Sequence, residues 1–221
     1  MASSPPSRLT PLQRELLEQF FHREHRFFLT GGGALAGFYF GHRTTEDLDF
    51  FAPPGLDLAE AARALEEAAQ ATGATVRPAQ IYPDFRRLFV ERGDETCVVD
   101  LVIDRAPMVD SEKQSFGAIR VDTLREIAAN KICTLLSRSE PKDLVDLAFL
   151  IRSGIDLRRA FEDAQKKDRG AEPATLAWIL DQVTISPRAR LPGGIDPVDL
   201  DAFRVDLVRR LRAMAFEKVP K

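Results

Sequence analysis

The sequence predicts an α/β (α+β) lobe followed by a helical C-terminal lobe. Three observations lead there. Up to residue 121, short apolar runs that stop at glycine or proline alternate with amphipathic stretches. Between residues 75 and 103 three strand-like runs follow one another. From residue 123 onward every apolar pattern has a helical period.

The elements follow in order. Residues 1–10 are expected to form a disordered tail. The start lacks the apolar stretch behind a basic segment that a secretory signal needs. Thr10-Pro11 reads as an N-cap with proline at the first helical position. Leu12, Leu16, Leu17, Phe20 and Phe21 then carry a helix to about Arg26. Phe27-Phe28-Leu29 is a buried strand that stops at Gly31-Gly32-Gly33, and residues 34–40 form a short helix leaving that turn. Asp47 to Phe51 is a second strand, closed by Pro53-Pro54-Gly55. An Ala- and Glu-rich amphipathic helix covers 57–72. Strands are expected over 75–81, 85–91 and 96–103, the last two joined at Gly93-Asp94. Helices are expected over 123–138, 142–153, 157–167, 174–182 and 198–216. The predicted boundaries are an α/β lobe at 11–121 and a helical lobe at 122–221.

With 221 residues, 44% hydrophobic and 29% charged, the chain has the composition of a soluble globular protein. Lys+Arg 31 against Asp+Glu 34 gives a net charge of -3, which argues against a strongly basic nucleic-acid binder but leaves room for a local basic groove. Cys97 and Cys133 lie in apolar runs and read as buried side chains of a reducing compartment. With His22, His25 and His42 they make no metal-site spacing. No run approaches the ~18 apolar residues of a membrane span, and the expected location is cytoplasmic.

The densest chemical signal is Thr30-Gly-Gly-Gly-Ala-Leu35 followed by Arg43-Thr-Thr-Glu-Asp-Leu-Asp49. In a strand Asp47 and Asp49 project to one face, Leu48 and Phe50 to the other. Two adjacent carboxylates suit a hard cation shared with phosphates. The alternative is a solvated strand edge. Gly31, Gly32 and Gly33 let backbone N–H groups approach a phosphate, though a plain flexible turn has the same composition. The following residues match neither a Walker A loop nor a dinucleotide-binding fingerprint. In Cys97-Val-Val-Asp-Leu-Val-Ile103, Asp100 shares a face with Val98 and Val102. It is a third carboxylate of the site, a residue of an exposed outer sheet face, or one member of a buried pair with an arginine.

In the helical lobe Lys131, Thr134 and Arg138 occupy one helix face, with Asp143 and Asp146 three apart on the next helix. Those residues suit a phosphate contact, an interhelical salt bridge, or both at once.

Strand, Gly-Gly, helix and Asp-x-Asp together resemble the polymerase-β-like nucleotidyltransferase superfamily, and the fuller text resembles its AbiEii/AbiGii toxin-type branch. Gly31, Gly32, Ala34, Leu35, Arg43, Thr45, Asp47 and Asp49 match. Lys142 and Asp143 fit the branch's Arg/Lys-Asp-x-x-Asp-Leu segment, and Lys131 with Thr134 its Lys-containing helix. Gly33 stands where the family usually has Ser or Thr, which removes one hydroxyl from the expected triphosphate contacts. The resemblance implies a mixed sheet and a metal-dependent enzyme moving an NMP from an NTP to an acceptor, with release of pyrophosphate. Asp47, Asp49 and Asp100 would hold Mg2+ (or Mn2+). Gly31 to Gly33, Arg43, Thr45, Lys131, Thr134, Asp143 and Asp146 would bind the nucleotide. An RNA acceptor such as the 3′ end of tRNA and a cognate antitoxin are the implied partners. Nucleotidylation of a protein or a small molecule, and a non-catalytic NTP-binding or partner-binding module, are the competing readings.

Overall fold

The computed structural model describes residues 7–217. Positions 1–6 of the expected tail lie outside it. Residues 7–10 are packed rather than free, because Leu9 is buried and the Arg8 amide donates to the Ala36 carbonyl.

The described chain divides into two compact units, residues 7–105 with 112–123, and residues 106–111 with 124–217. The first opens with α1 (Pro11–Phe21), capped by a reciprocal pair in which Gln13 N donates to Thr10 Oγ1 and Thr10 N donates to Gln13 Oε1. This helix ends five residues before the expected Arg26, as the chain turns back to enter β1 (Phe28–Thr30). The three glycines are not a turn ahead of a helix. They are its first residues, α2 (Gly31–Ala34), which runs straight into a π-helical turn at Leu35–Tyr39. Next come β2 (Asp47–Ala52), α3 (Leu58–Ala71), β3 (Thr75–Tyr82), β4 (Phe85–Arg92) and β5 (Glu95–Ile103). Two short strands, β6 (Gln114–Phe116) and β7 (Ile119–Val121), were not expected from the sequence.

The seven strands form one mixed sheet in the order β3-β4-β5-β2-β1-β7-β6. β2 runs parallel to β5 and antiparallel to β1. On one face of β2 lie Leu48 and Phe50, both fully buried. Phe20 of α1 stacks on Phe50 at 4.6 Å, and Phe21 meets it edge-on at 5.7 Å. Leu88, Val90, Cys97, Val99 and Leu101 extend this core, which α1 and α3 cover. Alternation then sends Asp47 and Asp49 to the opposite, half-open face.

The second unit is helical: α4 (Leu124–Ser137), α5 (Pro141–Arg152), α6 (Leu157–Lys167), α7 (Pro173–Gln182) and α8 (Pro197–Phe216). Segment 106–111 belongs here because the buried Glu126 carboxylate accepts the Val109 and Asp110 amides at 2.8 and 2.9 Å. Cys133 is half-buried and Cys97 fully buried, so only the latter matches the expectation for both cysteines. Among the described residues, no helix is long and apolar enough to cross a membrane.

Candidate active site

Strand register builds the site. Residues paired across neighbouring strands share a face, so pairings generate rows. Thr30 of β1 pairs with Asp49 of β2, Asp49 with Asp100 of β5, and Asp100 with Arg87 of β4. One polar row thus crosses four strands. Asp47, paired with Val98, stands in the adjacent row on the same face.

Each acid is placed by a different neighbour. Thr45 Oγ1 donates to Asp47 Oδ1 at 2.6 Å, while the Thr45 carbonyl accepts Gln13 Nε2 at 2.9 Å, so α1 steadies the residue that orients Asp47. Asp49 lies against the glycines. A Cβ added to Gly31 would stand 2.5 Å from Asp49 Oδ2, and Gly31 has φ +63. Glycine is needed there twice over, for the left-handed backbone and for the approach of the carboxylate. A Cβ on Gly32 would overlap the guanidinium of Arg43, a buried side chain whose Nη1 donates to the Thr44 carbonyl at 3.0 Å. Gly33 turns the other way: its Cβ would meet Leu48 Cδ2 at 3.1 Å and Leu29 Cδ1 at 3.4 Å, on the core side. The family's missing hydroxyl would therefore start out among leucines.

Asp100 is buried and held on both oxygens by Arg87, Nε to Oδ1 at 2.8 Å and Nη2 to Oδ2 at 2.6 Å. Of the sequence readings for this residue, the arginine pair is present in the structure, and the burial of Asp100 removes the exposed sheet face. The Arg87 guanidinium is raised above its ordinary range, chiefly by its hydrogen bonds to Asp100, with the charges of Asp47 and Asp49 adding to the effect. Arg87 thus feels all three acids. Among the described residues no group of three or more His, Cys, Asp or Glu is arranged to hold a metal ion. Asp47 and Asp49 remain a two-carboxylate pair of the kind a hard cation shares with phosphates.

Thr30 completes the row. Its side chain is buried and its Oγ1 has no hydrogen-bond partner. Buried polar groups are nearly always satisfied, so an orphaned hydroxyl at the head of the glycine helix, on the acid face, fits a place that a ligand oxygen completes. On the opposite side of the sheet, burial pushes the Cys97 thiol up to about 12, which leaves it inert as a nucleophile.

A family model for AbiEii, the nucleotidyl transferase toxin of a type IV toxin–antitoxin system, matches residues 15–219. The chain belongs to the AbiEii nucleotidyltransferase toxin family. Two solved structures from Helicobacter pylori share its fold. One, assigned as a nucleotidyltransferase, is 19% identical with a TM-score of 0.61, covering 95% of this chain and 96% of its own. The other, JHP933, is 19% identical with a TM-score of 0.60, covering 94% and 91%. No curated protein matches the sequence. The fold is that of the polymerase-β-like nucleotidyltransferases, and the AbiEii match makes the chain a transferase of nucleotides by family.

The remaining sequence candidates of this AbiEii-family chain belong to the second unit. Lys131 is buried, and its Nζ sits 2.8 Å from Asp143 Oδ1 and 2.7 Å from Asp146 Oδ2. Burial works to lower the Lys131 pKa, but the charges of Asp146 and Asp143 outweigh it and hold the ammonium above its ordinary value. Arg138 Nε adds a 3.2 Å contact to Asp143 Oδ2. Thr134 Oγ1 donates to the Asn130 carbonyl one turn back. The interhelical salt bridge is thus formed.

Sequence reasoning missed Arg87 and Thr30. The signal for Arg87 was present in Phe85-Arg-Arg-Leu-Phe89, where strand alternation gives one arginine to the face of Asp100. Nothing in the sequence marks Thr30, whose importance comes from pairing with Asp49.

Proposed function

We propose that this chain transfers a nucleoside monophosphate from an NTP to a hydroxyl group of RNA, with the 3′ end of tRNA as the favoured acceptor, and acts as the toxin of a toxin–antitoxin pair in the cytoplasm. The observation behind the reaction is the single row Thr30–Asp49–Asp100–Arg87, with Asp47 beside it and the glycine helix against Asp49. Family membership supports nucleotidyl transfer and the toxin role, and RNA is the acceptor that the resemblance implies.

In this reading the first-turn amides of Gly31 to Gly33, which have no carbonyl of their own helix ahead of them, meet the β and γ phosphates. The Thr30 hydroxyl adds one more contact, and Arg43 offsets the charge that builds on the leaving group. The acceptor oxygen bonds to the α-phosphorus as the bridging α–β P–O bond breaks, and pyrophosphate leaves. The acceptor's proton passes to a carboxylate of the row and exchanges with water. A divalent cation, Mg2+ or Mn2+, held by Asp47 and Asp49 together with the triphosphate would draw charge toward the pyrophosphate. Asp100 keeps Arg87 in the row, where the guanidinium balances three neighbouring carboxylates. Lys131, Asp143 and Asp146 form the helical unit's ion cluster, an arrangement compatible with their proposed part in holding the nucleotide.

The test is to incubate the protein with each α-labelled NTP, the cation and total tRNA, beside an Asp47→Ala/Asp49→Ala control. Label is expected in RNA for the intact acid pair alone. Label on protein, or in a small molecule, would replace RNA as the acceptor class. No label anywhere would leave a nucleotide-binding module.

A further inference from the structure

The face that carries the acids does not end with them. Past Asp100 the sheet continues as β4 and β3, and register lays three rows side by side. The acid row goes on from Arg87 to Gln80. On one flank run Phe28, Phe51, Val102, Phe85 and Tyr82, on the other Asp47, Val98, Phe89 and Arg77. The outer part of this face is therefore three aromatic rings and a guanidinium around Arg87. Arg77 Cζ lies 4.5 Å over the Phe89 ring, and Arg87 Cζ 5.6 Å from the Phe85 centroid. Tyr82 and Phe85 are 6.4 Å apart and tilted by 32°. Tyr82 and the Arg77 side chain are each 60% exposed.

Cross-strand aromatic pairs also stabilise plain hairpins. That explanation does not distinguish the two faces. On β4 the core face carries Leu88 and Val90 with Arg86 beside them, whereas both of the strand's rings, Phe85 and Phe89, lie on the face of the acids. Neighbouring strands lie about 4.8 Å apart, so β3 is about 14 Å from Asp49, the reach of a few nucleotides.

We propose that Tyr82, Phe85, Phe89 and Arg77 form the platform on which the single-stranded 3′ end of the acceptor RNA lies. The proposal rests on the reading of RNA as the acceptor. Every base has a flat face, so ring stacking holds a strand without reading its sequence, and the exposed guanidinium of Arg77, paired with Glu91 at 3.3 Å, exchanges that partner for a backbone phosphate. Such binding needs no strongly basic protein, in keeping with a net charge of -3. Continuity with the acid row delivers the terminal hydroxyl to the α-phosphate.

The experiment measures binding of a 5′-labelled single-stranded RNA of about ten nucleotides, and of a blunt duplex, by fluorescence anisotropy with the full chain. Tyr82→Ala and Phe85→Leu are each expected to weaken single-strand binding about tenfold. Trp178→Ala, at an exposed ring of the helical unit, is expected to leave it unchanged. 4-Thiouridine in the RNA should crosslink within residues 77–89. Circular dichroism confirms folding, and Phe85→Tyr should restore affinity if stacking is the cause. Duplex bound as tightly as single strand would overturn the platform. So would full affinity in both ring variants while label still enters RNA, which leaves the acceptor reading standing. Failure to bind RNA together with failure to label it would overturn both.

Discussion

Gly31→Ala joins backbone and site most closely. Gly31 has φ +63, and its added Cβ would stand 2.5 Å from Asp49 Oδ2, where ordinary contact begins near 3.4 Å. Gly93 offers the internal comparison: φ is +58 and nothing lies within 4 Å of its Cβ position. Gly93→Ala meets only the left-handed backbone cost, about 1 kcal/mol, or roughly 2–4 °C in Tm for a chain of this size. Gly31→Ala meets the same cost and must also move the Asp49 carboxylate by about 0.9 Å, for a total of about 2–3 kcal/mol. The functional effect is larger. Displacing a reacting group by about 1 Å costs on the order of a hundredfold in rate. Urea unfolding of both variants gives the stability difference, and α-label transfer gives kcat/KM. Gly93→Ala should keep full transfer, and Gly31→Ala should lose about a hundredfold. Matching behaviour of the two variants in both assays would refute the idea that the glycine helix holds Asp49 in place.

Other expectations come from the same geometry. Lys131→Met leaves Asp143 and Asp146, both fully buried, without their shared cation. It should cost about 3–5 kcal/mol in urea unfolding, and a loss below about 1 kcal/mol would contradict the ion cluster. Burial tends to raise Glu24 and Asp163, but the hydrogen bonds of Glu24 with Arg26, and of Asp163 with Arg125 and Lys166, hold both below their ordinary values of 4.5 and 3.8. A depressed acid stabilises the fold above its unfolded pKa and loses that contribution as pH falls through the folded one. Tm should therefore be level from pH 7 to 5 and drop below about pH 4. Asp163→Asn should flatten that acid limb; an unchanged limb would remove Asp163 from the account. Gly33→Ser places its Cβ 3.1 Å from Leu48 Cδ2 and should cost about 1 kcal/mol without tightening NTP binding by calorimetry. Tighter binding would show that the hydroxyl reaches the phosphates after all.

The acid face was legible because strand alternation is local. Asp47 and Asp49, backed by Leu48 and Phe50, follow from four consecutive residues, and Asp100 from seven. What sequence could not supply is which strand lies beside which. The Arg87–Asp100 pair and the Thr30–Asp49 pair depend on register between segments 13 and 19 residues apart. The β6–β7 hairpin escaped notice because Gln114–Phe116 is an exposed three-residue strand with no apolar alternation. Glycine's poor helix propensity placed a turn at Gly31–Gly33, but the close approach of Asp49 and Arg43 admits only glycine at Gly31 and Gly32, and the helix starts there regardless. Lys131 sits at the edge of an apolar stripe, and a stripe alone does not say whether its anionic partner is a phosphate or an aspartate.

Asp47 and Asp49 carry the proposed nucleotidyl transfer. The most direct measurement compares an NTP labelled at the α-phosphate with one labelled at the γ-phosphate, for the intact chain and for Asp47→Asn and Asp49→Asn separately, each shown to melt as the parent does. The α-label is expected on the acceptor and the γ-label in pyrophosphate, with both falling by about a thousandfold or more in either variant. Transfer within a few-fold of the parent in the two asparagine variants would contradict that role.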